Sequence, residues 1–234
     1  MPVVTISSPV AAGGSEIARL VADLLKSAYL DQELLNQVAL RLGATAAAVA
    51  ERDERLDTLG QRISSSLRRL LESQASAVML GDGFIESTGM SLLTRSYEEA
   101  AHTPITRADE IDDKRYIALL RTVIEDVADH HQVVIVGRAG QFILGGRSGA
   151  FHVRIVAPMA ARIERLLHEN GGQAHEVERT LRERDQAQNA WFRKYFKEDV
   201  RDAIHYDVVL NTAKIPFERC AHIIADLAQL AAQR

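Results

Sequence analysis

The stretch VVTISSPVAAGGSEIARLVADLL, Val3 to Leu25, joins a β-branched run, a turn of small residues and a helical pattern. A short run of Val, Ile and Thr that ends at small polar residues is typical of a buried parallel strand. The helical part repeats apolar residues at i, i+3, i+4, i+7 and i+8 from Ile17, which marks one buried stripe. This order of elements predicts the start of an α/β fold.

The same alternation continues along the chain. The aliphatic run Val133 to Val136 is typical of a central strand, and FHVRIVAP and YDVVLNT predict two further strands. Helical patterns separate them, including a long polar helix from Ala174 to about Lys197. Strands separated by helices predict a parallel sheet with helices on both faces.

Length and composition limit the class of protein. A chain of 234 residues with 47% hydrophobic residues is long enough for one substantial core, so we expect a single domain. The net charge of −4 gives no global reason to bind nucleic acid or an acidic membrane surface. The single Cys220 and the absence of a long apolar run lead us to expect a soluble, cytoplasmic protein.

The small-residue turn after the first strand is the first candidate site. Aligned with a Walker A motif, it keeps the last glycine and the hydroxyl residue but lacks the lysine. Backbone amides at a helix N-terminus can still surround a phosphate, and Ser15 is either a helix cap or a metal ligand. Such a turn is also common in α/β proteins that bind nothing there. The candidate residues are Ser8, Ala11, Ala12, Gly13, Gly14 and Ser15.

Arg138 is the second candidate, because it follows the central strand and Gly137. Ligands of open α/β sheets bind at the carboxyl ends of the strands, where a guanidinium can hold a phosphate with two parallel hydrogen bonds. An arginine that caps the strand end or forms a salt bridge there explains the pattern equally well.

The third candidate is one face of the long polar helix. Donor side chains recur along it without interleaved acids, which suits a lid that closes over a polyphosphate. A solvated helix often has such a face as well, and charge alone favours that interpretation. The donors are Arg179, Arg182, Gln186, Asn189 and Arg193.

Taken in order, six stretches resemble the cytidylate kinase-like family of P-loop nucleoside monophosphate kinase relatives. They cover both ends and the centre of the chain, whereas residues from about 44 to 113 match nothing we can name. The stretches are VTISSPVAAGGSEIARLVADLL, YLDQELL, VVIVGRAGQFIL, FHVRIVAPMAARIERL, RERDQAQNAWFRKYF and YDVVLNT.

The resemblance implies a three-layer P-loop fold with a parallel sheet of about five strands and a helical lid at about 174–200. It also implies that ATP and Mg²⁺ bind at the first loop and that the acceptor lies near Asp31 and Arg138. Residues of about 44–113 would be a helical insert or the acceptor side. Arg184 and Arg193 would be lid arginines, although Arg184 and Arg182 face nearly opposite sides of an ideal helix.

The loop departs from the family pattern by lacking every cation. A charge-assisted phosphate contact contributes about 1.5–3 kcal/mol, so its loss would weaken binding by roughly one to two orders of magnitude unless other groups compensate. Two functions therefore stay open. One is a phosphotransferase that moves the ATP γ-phosphoryl group to a nucleoside monophosphate or similar acceptor. The other is a nucleotide sensor or homodimeric interaction protein that has the fold without the chemistry.

Overall fold

The computed structural model describes residues 2–31 and 113–233, and for residues 113–116 it describes the backbone. The chain divides into two compact units, Met1–Ala39 with Leu120–Arg234, and Leu40–Leu119. Our predictions for residues 44–112, including the helical insert or acceptor-side region, lie outside the described residues.

Regular elements in the described ranges alternate as the sequence predicts. In chain order they are β1 Val3–Ser7, α1 Gly14–Leu25, β2 Ala28–Leu30, α2 Asp113–His130, β3 Val133–Val136, α3 Gly140–Ile143, β4 Ala150–Val156, α4 Met159–Asn170, α5 Ala174–Phe196, β5 Val208–Asn211 and α6 Phe217–Ala231. A short 3₁₀ helix, Ala203–His205, precedes β5.

The strands form a five-stranded parallel sheet in the order β2-β3-β1-β4-β5. β1 lies at the centre and is buried throughout, with Val3 opposite Val133 of β3 on one side and Ala150 of β4 on the other. The predicted α/β class, with a parallel sheet of about five strands, is confirmed.

Helices cover both faces of the sheet. On one face, alternate β1 residues Val4 and Ile6 pack with α1 and α6 in a core cluster that includes Ile17 and Ile224. On the other face, α3 approaches β1 so closely that a Cβ on Gly140 would lie 3.0 Å from Thr5 Cγ2. The three-layer arrangement follows from this packing.

The second face of the sheet is polar near β4. His152 and Arg154 of β4 lie opposite Thr5 and Ser7 of β1 and are hydrogen-bonded to them. All four side chains are buried. Because every strand is parallel, the carboxyl ends of β1, β3, β4 and β5 meet at one edge, where ligands of open sheets bind.

Candidate functional site

The loop between β1 and α1 contains two residues in the left-handed conformation, Ala11 with φ 59° and Gly13 with φ 87°. Neither Gly13 nor Gly14 has room for a side chain. A Cβ on Gly13 would lie 2.3 Å from the Phe217 ring, and one on Gly14 would lie 2.0 Å from Ser8 Oγ. The two glycines therefore allow the loop backbone to lie against the Phe217 ring and the Ser8 side chain.

Four carbonyl groups of this loop accept hydrogen bonds from side chains of distant elements. The donors are two arginines of α4, a glutamine of α5 and the threonine that follows β5. The pairs are Gln188 Nε2 to Ser8 O at 3.2 Å, Arg162 Nε to Val10 O at 2.8 Å, Arg165 Nη1 to Ala11 O at 3.1 Å and Thr212 Oγ1 to Ala12 O at 2.8 Å.

The loop amides point the other way. In a planar trans peptide the N–H lies opposite the preceding carbonyl, so anchoring of the Val10 and Ala12 carbonyls turns the Ala11 and Gly13 amides away from α4 and Thr212. Within residues 2–31 and 113–233, no acceptor contacts these two amides or those of Gly14 and Ser15 at the start of α1. Free amides at a helix N-terminus form an anion-binding group.

One ion pair joins the loop to the predicted lid helix. Arg162 is 4% exposed, and both of its terminal nitrogens donate to the two Asp185 carboxylate oxygens at 2.8 Å. Its Nε simultaneously holds Val10 O. A bidentate arginine–carboxylate pair is geometrically specific, so it fixes α4, α5 and the loop relative to one another.

Arg162 and Arg165 were not among the site residues predicted from the sequence. They lie three residues apart near the start of α4, which follows the carboxyl end of β4, and that spacing was the available signal. Arg165 also donates to Thr212 O at 2.7 Å, and its guanidinium carbon lies 5.0 Å from the centre of the Phe217 ring. Both arginines bring positive charge to a loop that has no cation of its own.

The sequence profile of the cytidylate kinase-like family matches residues 3–214, nearly the whole chain. This chain belongs to that family. The resemblance stated from the motifs is thereby confirmed.

Three other proteins are similar to this member of the cytidylate kinase-like family. The solved structure of an uncharacterized protein from Eubacterium ventriosum has a TM-score of 0.63 to this chain and is 13% identical in sequence. The match covers 98% of this chain and 99% of that protein. At this level of identity the likeness supports the fold alone. Shikimate kinase from Acinetobacter baumannii is 12% identical with a TM-score of 0.47, covering 100% and 96% of the two chains. Over 115 residues the chain is 27% identical to a uronate isomerase from Corynebacterium glutamicum, a match that covers 45% of this chain. It spans only 20% of the length of that curated relative.

In this cytidylate kinase-like protein, the donor-rich face of α5 does carry acids. Arg182 pairs with Glu178 at 2.6 Å and Arg179 with Glu183 at 3.9 Å, with both arginine side chains largely exposed. The expectation of donors without interleaved acids is therefore wrong. The residues of α5 that pack inward are instead Leu181, Asp185, Gln188 and Phe192, which recur at i, i+4, i+7 and i+11.

The predicted lid arginines occupy different environments. Arg184 is half-buried next to Asp185, whereas Arg193 is 61% exposed and donates to Asp199 at 3.0 Å. Two further arginine contacts, from Arg201, also reach the Asp199 carboxylate and hold its pKa well below the usual range, with the Arg193 contact adding to the shift. The structure therefore places Arg184, rather than Arg193, on the side of α5 that faces the protein.

Arg138 and Asp31 follow neighbouring strands. Asp31 comes directly after β2, and Arg138 lies two residues beyond β3, in a run of three left-handed residues with φ 73°, 49° and 62°. The Arg138 guanidinium carbon lies 6.0 Å from the centre of the Trp191 ring, and its buried Nε has no hydrogen-bond partner in the described part of the chain. Both candidates thus lie at the edge of the sheet that carries the loop.

Ser15 lies beside a buried tyrosine at the end of β2. Burial raises the pKa of Tyr29 to about 12; the Asp31 carboxylate adds to the rise, while Arg19 and the Ser15 hydroxyl oppose it. The Arg19 guanidinium carbon lies 5.6 Å from the centre of the Tyr29 ring. Tyr29 therefore stays neutral at physiological pH.

Proposed function

We propose that this protein transfers the γ-phosphoryl group of ATP, with Mg²⁺, to a nucleoside monophosphate or a similar small acceptor. The observation that carries the proposal is the set of amides at Ala11, Gly13, Gly14 and Ser15, which no acceptor contacts within the described residues; side chains hold the carbonyls that precede Ala11 and Gly13 on the opposite side. Preorganised amides bind phosphate oxygens without reorganisation during the reaction. Family membership supports the same class of reaction.

Charge around the loop supports phosphate binding despite the missing lysine. Arg162 and Arg165 reach the loop carbonyls, and Asp185 balances only one of these two cations. The remaining positive charge is that of Arg165, which contacts the loop on its carbonyl side. In a partly water-excluded site this charge attracts a polyphosphate more strongly than it would in bulk water.

Ser15 is the proposed Mg²⁺ ligand. Its hydroxyl is a hard oxygen donor in the first turn of α1, which suits an ion that usually keeps only one or two protein ligands beside phosphate oxygens. When bound, Mg²⁺ neutralises part of the phosphate charge. The described residues contain no cluster of three or more His, Cys, Asp or Glu side chains that could hold a metal.

The acceptor is proposed to bind at Asp31 and Arg138. The carboxylate would orient an acceptor hydroxyl or base, and the guanidinium would bind its phosphate with its open Nε–H. Arg184 and Arg193 are proposed to reach the transferred group from α5. For Arg193 this requires its release from Asp199.

A coupled kinase assay with ATP and each common nucleoside monophosphate tests the proposal. We expect turnover with at least one acceptor and a lower kcat in Arg193→Ala, with Arg121→Ala as the matched control because Arg121 also forms an exposed ion pair, with Glu125. No turnover with any acceptor would contradict the proposal. ATP binding without turnover would support the nucleotide sensor instead, and no nucleotide binding would reject both.

A further inference from the structure

Arg154 has an unusual environment for an arginine in a central strand. It is 6% exposed, and its Nη1 donates to Ser7 Oγ at 2.6 Å. Its Nε is also buried and has no hydrogen-bond partner within the described ranges. Buried charges in proteins are normally paired and hydrogen-bonded, so a guanidinium with an open donor needs a reason.

The groups around Arg154 leave its charge largely uncompensated. The Tyr206 ring centre lies 5.9 Å from the guanidinium carbon, but burial raises the pKa of Tyr206 and keeps the phenol neutral. The Tyr206 hydroxyl donates to Val200 O at 2.7 Å and accepts from Gln141 Nε2 at 3.2 Å, and its interaction with the Arg154 guanidinium is that of a neutral acceptor, which supplies no negative charge. Asp185 acts on Arg154 electrostatically, yet both of its oxygens are bound by Arg162.

The position of Arg154 relates it to the phosphate loop. In the sheet register it lies opposite Ser7, the last residue of β1, and the loop begins at the next residue. The contact with Ser7 Oγ places the guanidinium on the same face of the sheet as that side chain. A positive group therefore lies at the base of the loop, next to the carboxyl end of β1.

We propose that Arg154 binds a phosphate oxyanion at this edge of the sheet and supplies the positive charge that the loop itself lacks. The inference rests on the proposed function, because it assigns a residue to the same phosphate site. It differs from the roles of Arg162 and Arg165, whose guanidinium groups are used to hold loop carbonyls. The oxyanion belongs either to ATP or to the monophosphate of the acceptor.

Isothermal titration of the full chain with ATP and, separately, with each nucleoside monophosphate tests this assignment in Arg154→Met. Loss of a charge-assisted hydrogen bond should raise Kd by about 10- to 100-fold for the ligand that Arg154 contacts. Weakening of ATP alone assigns Arg154 to the donor phosphates, and weakening of the monophosphate alone assigns it to the acceptor. Unchanged Kd values for both would overturn the proposal.

Thermal unfolding without ligand separates binding from a structural role. We expect Arg154→Met to unfold at the same temperature as the parent protein or higher, because an apolar side chain replaces an uncompensated buried charge. A lower unfolding temperature with unchanged affinity would show that Arg154 is structural. Arg121→Met removes an exposed charge on α2 and should change neither Kd nor the unfolding temperature.

If Arg154→Met does not fold, the same titrations are made with Arg154→Lys. Lysine keeps the charge but lacks the planar fork, so we expect binding several-fold weaker than in the parent protein. Parent-like affinity in Arg154→Lys would then overturn a hydrogen-bonding role for the guanidinium. If the parent protein itself binds neither ATP nor any monophosphate, the proposed function fails first, which is a different outcome from a variant that binds normally.

Discussion

At the scale of single residues, the loop between β1 and α1 depends on two glycines, because a side chain at either position would collide with a neighbouring residue. Gly13 lies under the Phe217 ring, and Gly14 lies against the Ser8 hydroxyl. Only Gly13 also has a positive φ, so a substitution there is strained both by backbone conformation and by contact.

Gly13→Ala should therefore lower the free energy of unfolding by about 2–5 kcal/mol. The left-handed conformation costs an alanine roughly 1–2 kcal/mol, and overpacking against Phe217 adds roughly 1–3 kcal/mol. Urea denaturation measures the change. Gly146→Ala is the matched control, because a Cβ there would meet nothing within 4 Å; an equal loss in the two variants would contradict the argument.

At the scale of elements, α4 and α5 are joined through Arg162 and Asp185. The Arg162 side chain is 5% exposed and that of Asp185 is 34% exposed, so removing the carboxylate leaves a buried cation. The same arginine holds Val10 O in the loop. Removing one partner of this ion pair should therefore lower the stability of the fold and also weaken the proposed phosphate binding.

Asp185→Asn should lower the free energy of unfolding by about 1–3 kcal/mol, the usual result of leaving a buried donor unsatisfied. It should also weaken ATP binding, because the loop loses its fixed position. Glu183→Gln breaks an exposed pair with Arg179 on the same helix and should change stability by at most about 0.5 kcal/mol. Denaturation curves for the two variants that cannot be distinguished would count against a role for the Arg162 pair.

The link between β1 and β4 should respond to pH. His152 Nδ1 lies 2.8 Å from Thr5 Oγ1, and burial lowers the pKa of His152 while Asp207 and Leu144 O oppose the shift. Because the pKa of His152 is lower in the folded protein than in the unfolded chain, the unfolded chain binds this proton at a higher pH as the pH falls. The stability that neutral His152 contributes is thus present above about pH 6.5 and is lost as pH falls toward the folded-state pKa.

We expect urea denaturation to show a free energy of unfolding that falls between pH 7.5 and 5.5, with a smaller fall in His152→Gln. His175→Gln, at an exposed position on α5, should keep the slope of the parent protein. The prediction is contradicted if replacing His152 leaves the pH slope unchanged.

At the scale of the whole molecule, we predict a homodimer. The reason is the Ala, Ser, Met and Leu content of residues within about 44–113, which suits an apolar surface between two copies. Size-exclusion chromatography with light scattering should give about twice the chain mass of 25.8 kDa. A monomer at high concentration would end this prediction.

Much of the fold follows from the sequence because strand and helix patterns are local. The β-branched run of β1, the four aliphatic residues of β3 and the long polar pattern of α5 each extend over neighbouring residues, and all three elements form where they were predicted. The candidate loop was also located from its small residues. Periodicity reports which side of an element is buried, and burial is what stabilises the element.

The charge at the site was decided by the tertiary structure. Arg154 contacts Ser7 across 147 residues, and Arg162 and Arg165 contact the loop across 152 and 154 residues. No local pattern encodes these pairs, because they depend on β4 lying next to β1 and on α4 following it at the same edge. The sequence by itself determined a loop of small residues without a cation between β1 and α1. The sheet order brings the arginines to it, since contacts between distant segments form only when the strands are paired.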